Sequence, residues 1–326
     1  APHDPDRLAV KRLVARSGQV EIRDGDVFVD GKIQRKTLPQ LRELQILVHD
    51  DRYRPQSTAD LPDRWRSSHT DSLWRTTSTG YRCDARAAKH GAALSLAGDW
   101  LEYTQWTCWP NPSPPMPRTQ AAGILDHYGY NQNLSRSGLN RVGDILLRSA
   151  LTVDGKGVVA LRSDTGVDRF QLELTYPDTA CRLYHNGELV WQALAVRLCT
   201  RLGTRLSQPW VIELAVCDQQ VLAAINGAGL LEYRFQPTAG PRPLLPPLGP
   251  LVPPLAVWTR GLRVQFDAPR IDRDVSYLGP AGEHRWVAPQ PLGPDQWFAV
   301  GDNVPVSVDS RRLGPVASDL MLGPVY

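Results

Sequence analysis

The sequence predicts an all-β protein. Its 326 residues include 28 prolines, 26 glycines and 10 tryptophans but only two methionines, a composition that favours turns and short strands over long helices. Short runs of alternating apolar and polar residues recur along the chain, and turn-forming residues separate them. No run shows a persuasive helical spacing of apolar residues. We therefore expect a mainly β fold.

The composition also excludes several classes of protein. Hydrophobic residues make up 42% and charged residues 22%, which is ordinary for a folded chain. Thirty-seven basic and 34 acidic residues leave a net charge of +3, too weak to indicate a nucleic-acid partner. The seven histidines are scattered and the five cysteines contain no CxxC pair, so we expect no metal and no cofactor. Buried thiols and one or two disulfides both remain open.

The first elements form a hairpin near the start of the chain. Val20 and Ile22, and then Val27 and Val29, alternate with polar residues on either side of a tight turn at 23–26. The following stretch is polar and reads as an exposed connection. We place a domain boundary there and assign residues 41–72 to a linker.

The central region carries the densest strand signals. An Asn186-Gly187 pair joins two apolar runs, as in a hairpin whose turn needs positive φ. The order of strands and turns resembles that of lectin-like, concanavalin-type jelly rolls. Trp100, Trp106 and Trp109 suit stacking against sugars, although tryptophans at this spacing are as often part of a core. The other strands are expected at 145–153, 158–162, 170–176, 211–216, 221–225, 230–235 and 262–266.

One uncharged stretch raises the question of a membrane span. Residues 243–259 lie between two arginines, but six of them are proline. Interior prolines remove helical hydrogen bonds that lipid cannot replace. We interpret this stretch as a stiff, extended linker.

The final block of the chain concentrates polar chemistry. A short apolar strand enters the turn Gly301-Asp302-Asn303, and Ser307, Asp309, Ser310 and Arg311 follow within ten residues. Such crowding permits an Asp309–Arg311 ion pair with two hydroxyl donors nearby. On chemistry alone, an Asx-rich turn with a surface ion pair is the favoured explanation, because surface ion pairs are common and mostly weak.

The block GDNVPVSVDSRRLGPV resembles the last signature of type I signal peptidases. Near the start, VKRLV and the hairpin behind it look like that family's lysine signature, and the two signatures occur in the family's order. The resemblance covers residues 1–36 and 275–326. It implies a signal-peptidase-like β-fold that is split by an inserted jelly-roll β-sandwich, with residues 1–40 and 276–326 forming the catalytic domain and 73–275 the insertion.

The resemblance also implies roles for individual residues. Lys11 matches the general base, which must be uncharged to accept a proton, and Ser307 matches the hydroxyl that orients it. The remaining matches support the site: Arg12, expected to pair with Asp302, and Gly301, Asn303, Asp309, Ser310 and Arg311.

One departure concerns the nucleophile. The family's serine lies upstream of the lysine, whereas here only ten residues precede Lys11, and Ser113 stands in the wrong order and surroundings. Because the chain begins with Ala1 and not Met, we expect a truncated enzyme instead of a degenerate one.

Two functions follow. The first is a membrane-anchored serine endopeptidase with a Ser/Lys dyad, located at the periplasmic face of the cell membrane, which cleaves signal peptides from exported preproteins. The alternative is a non-catalytic, envelope-facing β-sandwich that binds a polysaccharide or a protein, with the peptidase remnant as a platform.

Overall fold

The computed structural model describes residues 8–54, 61–67, 69–86, 99–108, 119–126, 140–178, 180–194, 209–238 and 252–324. The chain divides into two compact units. We call Ala1–Thr37, Leu125–Val142 and Asp274–Tyr326 the terminal unit, and Leu38–Ile124 and Gly143–Arg273 the central unit. The domain boundaries drawn from the sequence stay a prediction.

Strands dominate both units, which confirms the mainly β fold. In chain order they are β1 (Arg12–Ala15), β2 (Val20–Arg23), β3 (Asp26–Val29), β4 (Lys32–Ile33), β5 (Ile46–Asp50), β6 (Trp65–Ser67), β7 (Trp74–Thr76), β8 (Gly80–Asp84), β9 (Leu101–Tyr103), β10 (Trp106–Cys108), β11 (Thr119–Ala121), β12 (Ile145–Asp164), β13 (Arg169–Tyr176), β14 (Ala180–His185), β15 (Glu188–Leu194), β16 (Trp210–Cys217), β17 (Gln220–Ile225), β18 (Ala228–Arg234), β19 (Leu255–Arg273), β20 (Arg285–Val287), β21 (Gln296–Val300) and β22 (Val316–Ala317). Among the described residues, the helices are α1 (Leu38–Leu44) and α2 (Ser310–Leu313), with 3-10 turns at Asp51–Tyr53 and Ser318–Leu320.

The terminal unit contains two small antiparallel sheets, ordered β1-β21-β22 and β20-β2-β3-β4. The expected N-terminal hairpin is β2–β3, and its turn places Asp24 and Gly25 at positive φ. Val20 and Ile22 are buried, as the alternating pattern requires. In the other sheet, β1 pairs with β21 so that Arg12 lies opposite Val300. This pairing sets Lys11 beside the turn that follows β21.

The central unit is built on one antiparallel sheet of 13 strands. Its longest members, β12 and β19, pair with each other along most of their length and shift register between Gly155 and Val158. Gly155 and Gly261 adopt positive φ at this point. Because glycine adopts such conformations without a Cβ penalty, both strands bend here and continue instead of ending in turns.

The bend brings the two halves of the sheet face to face. The ring centroids of Phe170 in β13 and of Phe235, which follows β18, are 4.6 Å apart. Those of Tyr176 and of Trp210, at the start of β16, are 5.9 Å apart. Along β13, buried residues alternate with half-buried or exposed ones. One face of β13 therefore belongs to the core, and the opposite face carries the polar residues.

Two stretches differ from the sequence-based expectation. Residues 41–72, expected to be an exposed linker, contain most of α1 together with β5 and β6. Leu41 of α1 is buried in one cluster with Leu146 and Ala215. The few apolar residues of this polar segment do not indicate a buried helix in the sequence. The extended linker expected over 243–259 ends earlier, because β19 begins at Leu255, and residues 243–251 lie outside the described residues.

The location at the cell membrane expected from the resemblance has no support in the helices that the structure describes. In the described part of the chain, none of them is long and apolar enough to cross a membrane.

Candidate functional site

The structure brings Lys11 and Ser307 together. Lys11 Nζ donates a hydrogen bond of 2.8 Å to Ser307 Oγ. A Cβ atom at Gly301 would lie only 2.0 Å from Ser307 Oγ and 3.1 Å from Lys11 Nζ. Glycine at this position therefore makes the close approach of lysine and serine possible.

The other residues singled out in the final block lie around this pair. Arg12 donates to both carboxylate oxygens of Asp302, at 2.9 and 2.6 Å. The Asn303 carbonyl accepts a hydrogen bond of 2.9 Å from the Ser307 N–H. Ser310 Oγ accepts one of 3.0 Å from the Ala299 N–H, which ties α2 to β21.

Asp309 is the buried centre of this block. It accepts hydrogen bonds from the Gly301 N–H at 2.9 Å and from Arg311 Nε and Nη2 at 2.8 and 2.7 Å. Burial alone raises the pKa of Asp309, but the hydrogen bonds from Arg311 and Gly301 outweigh it, so the pKa lies below its usual range. These contacts are observed, whereas the catalytic roles that the resemblance implies for Lys11 and Ser307 stay predictions.

A second candidate site is a cleft on the outer face of the central unit. Its volume is about 700 Å³. It lies where β12, β13 and β14 run side by side and the β14–β15 turn begins. We call it the polar cleft, and it is lined by Asp164, Gly166, Val167, Arg169, Gln171, Glu173, Tyr184, Asn186, Gly187 and Val252.

The pleat of β13 explains why polar groups gather in the cleft. Arg169, Gln171 and Glu173 alternate with three buried residues and therefore share the outer face. Tyr184 of β14 lies opposite Gln171, so its ring joins the same face. Arg169 Nε donates to Asp164 at 3.0 Å, which fixes one end of the cleft.

Three polar side chains, Gln171, Glu173 and Tyr184, lie together in the middle of the cleft. Gln171 Nε2 donates a hydrogen bond of 2.9 Å to Glu173 Oε1, and the Tyr184 phenol lies close enough to the Glu173 carboxylate to feel its charge. Partial burial and the neighbouring Glu173 carboxylate raise the pKa of Tyr184, so its phenol stays protonated. The group presents carboxylate, amide and hydroxyl functions beside one aromatic ring.

The hairpin that borders the cleft is held by a buried carboxylate. Asp168 accepts hydrogen bonds from Thr238 Oγ1 at 2.6 Å and from Asn186 Nδ2 at 3.2 Å, and it lies 2.8 Å from His185 Nε2. These bonds overcome the effect of burial and lower the pKa of Asp168. The Asn186-Gly187 turn, both residues at positive φ, is thereby fixed at the cleft.

Sequence reasoning did not single out the polar cleft. Arg169, Gln171 and Glu173 have the spacing of any solvated strand face, and the available signal was only their proximity to an Asn-Gly turn. Of the tryptophans considered for sugar stacking, Trp100 is half-buried and stacks on Trp258. Trp106 lies under the Arg64 guanidinium, and Trp109 is outside the described residues. The side chains of Cys83, Cys181 and Cys217 are buried.

Comparisons with known proteins give only distant likenesses. No family model and no curated protein sequence matches the chain. A carbohydrate-binding module from Bacillus subtilis aligns over 66% of this chain and 94% of its own, with 9% identity and a TM-score of 0.32. A Bacillus subtilis protein of unknown function with a galectin-like fold aligns over 62% and 98%, with 10% identity and a TM-score of 0.28. An alginate lyase of polysaccharide lyase family 7 aligns over 79% and 91%, with 8% identity and a TM-score of 0.29. At such TM-scores, no ligand or activity is carried over to this chain.

These findings correct the family expectation. The solved structures named above are of the carbohydrate-binding, galectin-like and lyase kinds. The expected membership of the type I signal peptidase family and the expected serine endopeptidase activity are corrected accordingly, because no family model and no curated sequence supports either. The signal-peptidase-like split of the fold and the preprotein partners have no support either.

Proposed function

We propose that this chain is a binding protein whose central unit binds a carbohydrate in the polar cleft. The observation that carries the proposal is the grouping of Gln171, Glu173 and Tyr184 in a concavity of about 700 Å³. That volume lies within the range of small-ligand sites, roughly 300–1,000 Å³. A surface for a flat protein partner would not need such a concavity.

The hydrogen-bonding groups of the cleft match a ligand rich in hydroxyls. Glu173 accepts from hydroxyl groups, Arg169 donates to hydroxyl and ring oxygens, and the Gln171 and Asn186 amides do both. Hydrogen bonds to the charged groups are the stronger ones. An apolar ligand would remove water from these charged and polar groups and offer no hydrogen bonds in return.

The Tyr184 ring supplies the apolar part of the site. A sugar ring has a face of C–H groups, and an aromatic ring packs against such a face while its hydroxyl stays in the polar network. The strand pairing that sets Tyr184 opposite Gln171 positions the Tyr184 ring before a ligand arrives. A site that is ordered in advance loses less entropy on binding.

The test is binding of the full chain to an array of immobilised oligosaccharides that includes neutral hexose, N-acetylhexosamine and uronate chains. We expect wild type to bind at least one of these classes. Glu173→Gln keeps the shape of the side chain but removes a charged acceptor worth about 1.5–3 kcal/mol, so affinity should fall roughly tenfold or more. Tyr184→Ala should reduce it further, because it removes the ring. Calorimetric titration of the best glycan measures both effects.

Two matched variants control for general damage. Tyr53→Ala removes a tyrosine that is 78% exposed and far in sequence from the cleft, and Glu232→Gln changes an exposed glutamate of β18. Both should bind as wild type does. If the folded wild-type chain bound none of the glycans, or if all four variants behaved alike, the proposal would be overturned.

A further inference from the structure

Two tryptophans and two arginines form a stacked row on the outer face of the central unit, outside the polar cleft. The rings of Trp100 and Trp258 stack with their centroids 6.0 Å apart. The Arg162 guanidinium lies 4.4 Å above the Trp100 ring, and the Arg260 guanidinium lies 5.7 Å from the Trp258 ring. We call these four residues the aromatic row.

The strand register shows that the aromatic row and the polar cleft share one face. Arg162 of β12 lies opposite Gln171 of β13, which in turn lies opposite Tyr184 of β14. Side chains of directly opposed residues point to the same side of a sheet, so Arg162 continues the row that Gln171 and Tyr184 begin. Trp258 of β19 lies opposite Ala160 of β12. Ala160 is two residues before Arg162, so both positions, and Trp258 with them, lie on the same face of the sheet.

The separation of the two features is longer than a single sugar. From β14 to β19 there are three strand spacings, or about 14 Å in all. A monosaccharide bound at Tyr184 therefore cannot reach Trp258, whereas a chain of several sugars lying across the strands can.

The aromatic row is held in a fixed arrangement without any ligand. Arg162 donates a hydrogen bond of 2.8 Å to Glu102, and its side chain crosses the small Ala256, which lies between Arg162 and Glu102 in register. The Trp100 and Trp258 side chains remain only half-buried. Aromatic surface that stays partly exposed and does not need to reorganise is suited to stacking against a ligand.

We propose that Trp100 and Trp258 form a second subsite for the same glycan, so that the ligand is a chain of several sugar residues. This inference rests on the proposed function of the polar cleft. One end of the chain occupies the cleft beside Tyr184, and a sugar further along packs on the edge of the tryptophan pair beside Trp258.

The test measures affinity as a function of chain length. Oligosaccharides of one to six residues, from the class that binds wild type best, are titrated against the full chain. We expect wild-type affinity to rise at least tenfold between the shortest and the longest ligands. Trp258→Ala should abolish that rise and leave the affinity for the shortest ligands unchanged, whereas Tyr184→Ala should weaken binding at every length.

Further variants separate recognition from stability. Trp258→Phe keeps an aromatic ring and should restore part of the rise, and Trp258→Leu keeps apolar bulk without a ring and decides the question if the alanine variant fails to fold. Trp297→Ala, a half-buried tryptophan of the terminal unit, is the matched control and should leave the rise intact.

The outcomes also separate the two proposals. An undiminished rise in folded Trp258→Ala or Trp258→Leu would overturn the second subsite while the polar cleft stood. Absence of any glycan binding by wild type would overturn the polar cleft, and the second subsite with it.

Discussion

The buried ion pair between Asp309 and Arg311 connects neighbouring segments of the terminal unit through hydrogen bonds. The Arg311 side chain is only 3% exposed and donates to the Leu278 and Val304 carbonyls as well as to Asp309. The side chain of its neighbour Arg312 is exposed and donates a hydrogen bond of 3.0 Å to the Pro280 carbonyl. We therefore expect Arg311 to contribute much more than Arg312 to the stability of the fold.

We predict that Arg311→Met destabilises the terminal unit by about 3–5 kcal/mol, because it leaves Asp309 buried without its partner. Arg312→Met is the matched control and should cost less than about 1 kcal/mol. Urea unfolding followed by tryptophan fluorescence measures both. Equal losses in the two variants would contradict the structural reading of this pair.

The pH dependence of this effect has a definite sign. The pKa of Asp309 is lowered in the folded chain, so the ion pair stabilises the fold above about pH 4, where the unfolded carboxyl is ionised. That contribution is lost as the pH falls through the folded pKa. The stability difference between wild type and Arg311→Met should accordingly shrink in acid.

The two candidate sites differ in how far the sequence could reveal their residues. The contacts of Lys11 with Ser307 and of Arg12 with Asp302 join residues about 290 positions apart, and only the order of two motifs suggested them. Glu173 and Tyr184 come together through the register of β13 and β14, which no local motif records. Binding residues on a regular sheet face look like ordinary solvated positions until the pairing is known.

At the scale of elements, the β14–β15 hairpin positions one wall of the polar cleft. Its turn residues Asn186 and Gly187 have φ values of 51° and 89°. The Asn-Gly pair predicted this turn from sequence, because these residue types tolerate positive φ. Local sequence patterns did not reveal α1. The helix has seven residues, or about two turns, which is too short for a periodic apolar signal.

We predict that Gly187→Ala destabilises the hairpin by about 1–2 kcal/mol and weakens glycan binding. An added Cβ there meets no atom within 4 Å, so the cost comes from the positive φ alone. Gly229→Ala in the β17–β18 hairpin also meets open space but lacks a positive φ. It should change stability by less than about 0.5 kcal/mol, and thermal unfolding of the two variants checks the difference.

At the largest scale, the bend in β12 and β19 determines the architecture of the central unit. The sequence predicted two strands in place of β12, 145–153 and 158–162, on either side of the glycine-containing stretch 154–157. The structure instead continues the strand through Gly155 and Gly157 and folds the sheet over itself. Strand signals are local, whereas a choice between a turn and a bend depends on the partner strand, which lies about a hundred residues away.

Gly157→Ala tests the role of this bend, because the partner strand leaves no room for a side chain. A Cβ atom at residue 157 would lie 1.9 Å from the Arg260 carbonyl oxygen and 2.9 Å from its carbonyl carbon. Both are backbone atoms of β19, so relief requires the two long strands to separate. We expect a loss of about 4 kcal/mol or more, measured by urea unfolding with circular dichroism. Lys156→Ala, at the exposed neighbouring position, should change stability by less than about 0.5 kcal/mol. A Gly157→Ala variant as stable as wild type would mean that this close approach does not fix the bend in β12 and β19. Other contacts would then have to hold the sheet face that carries the polar cleft and the aromatic row.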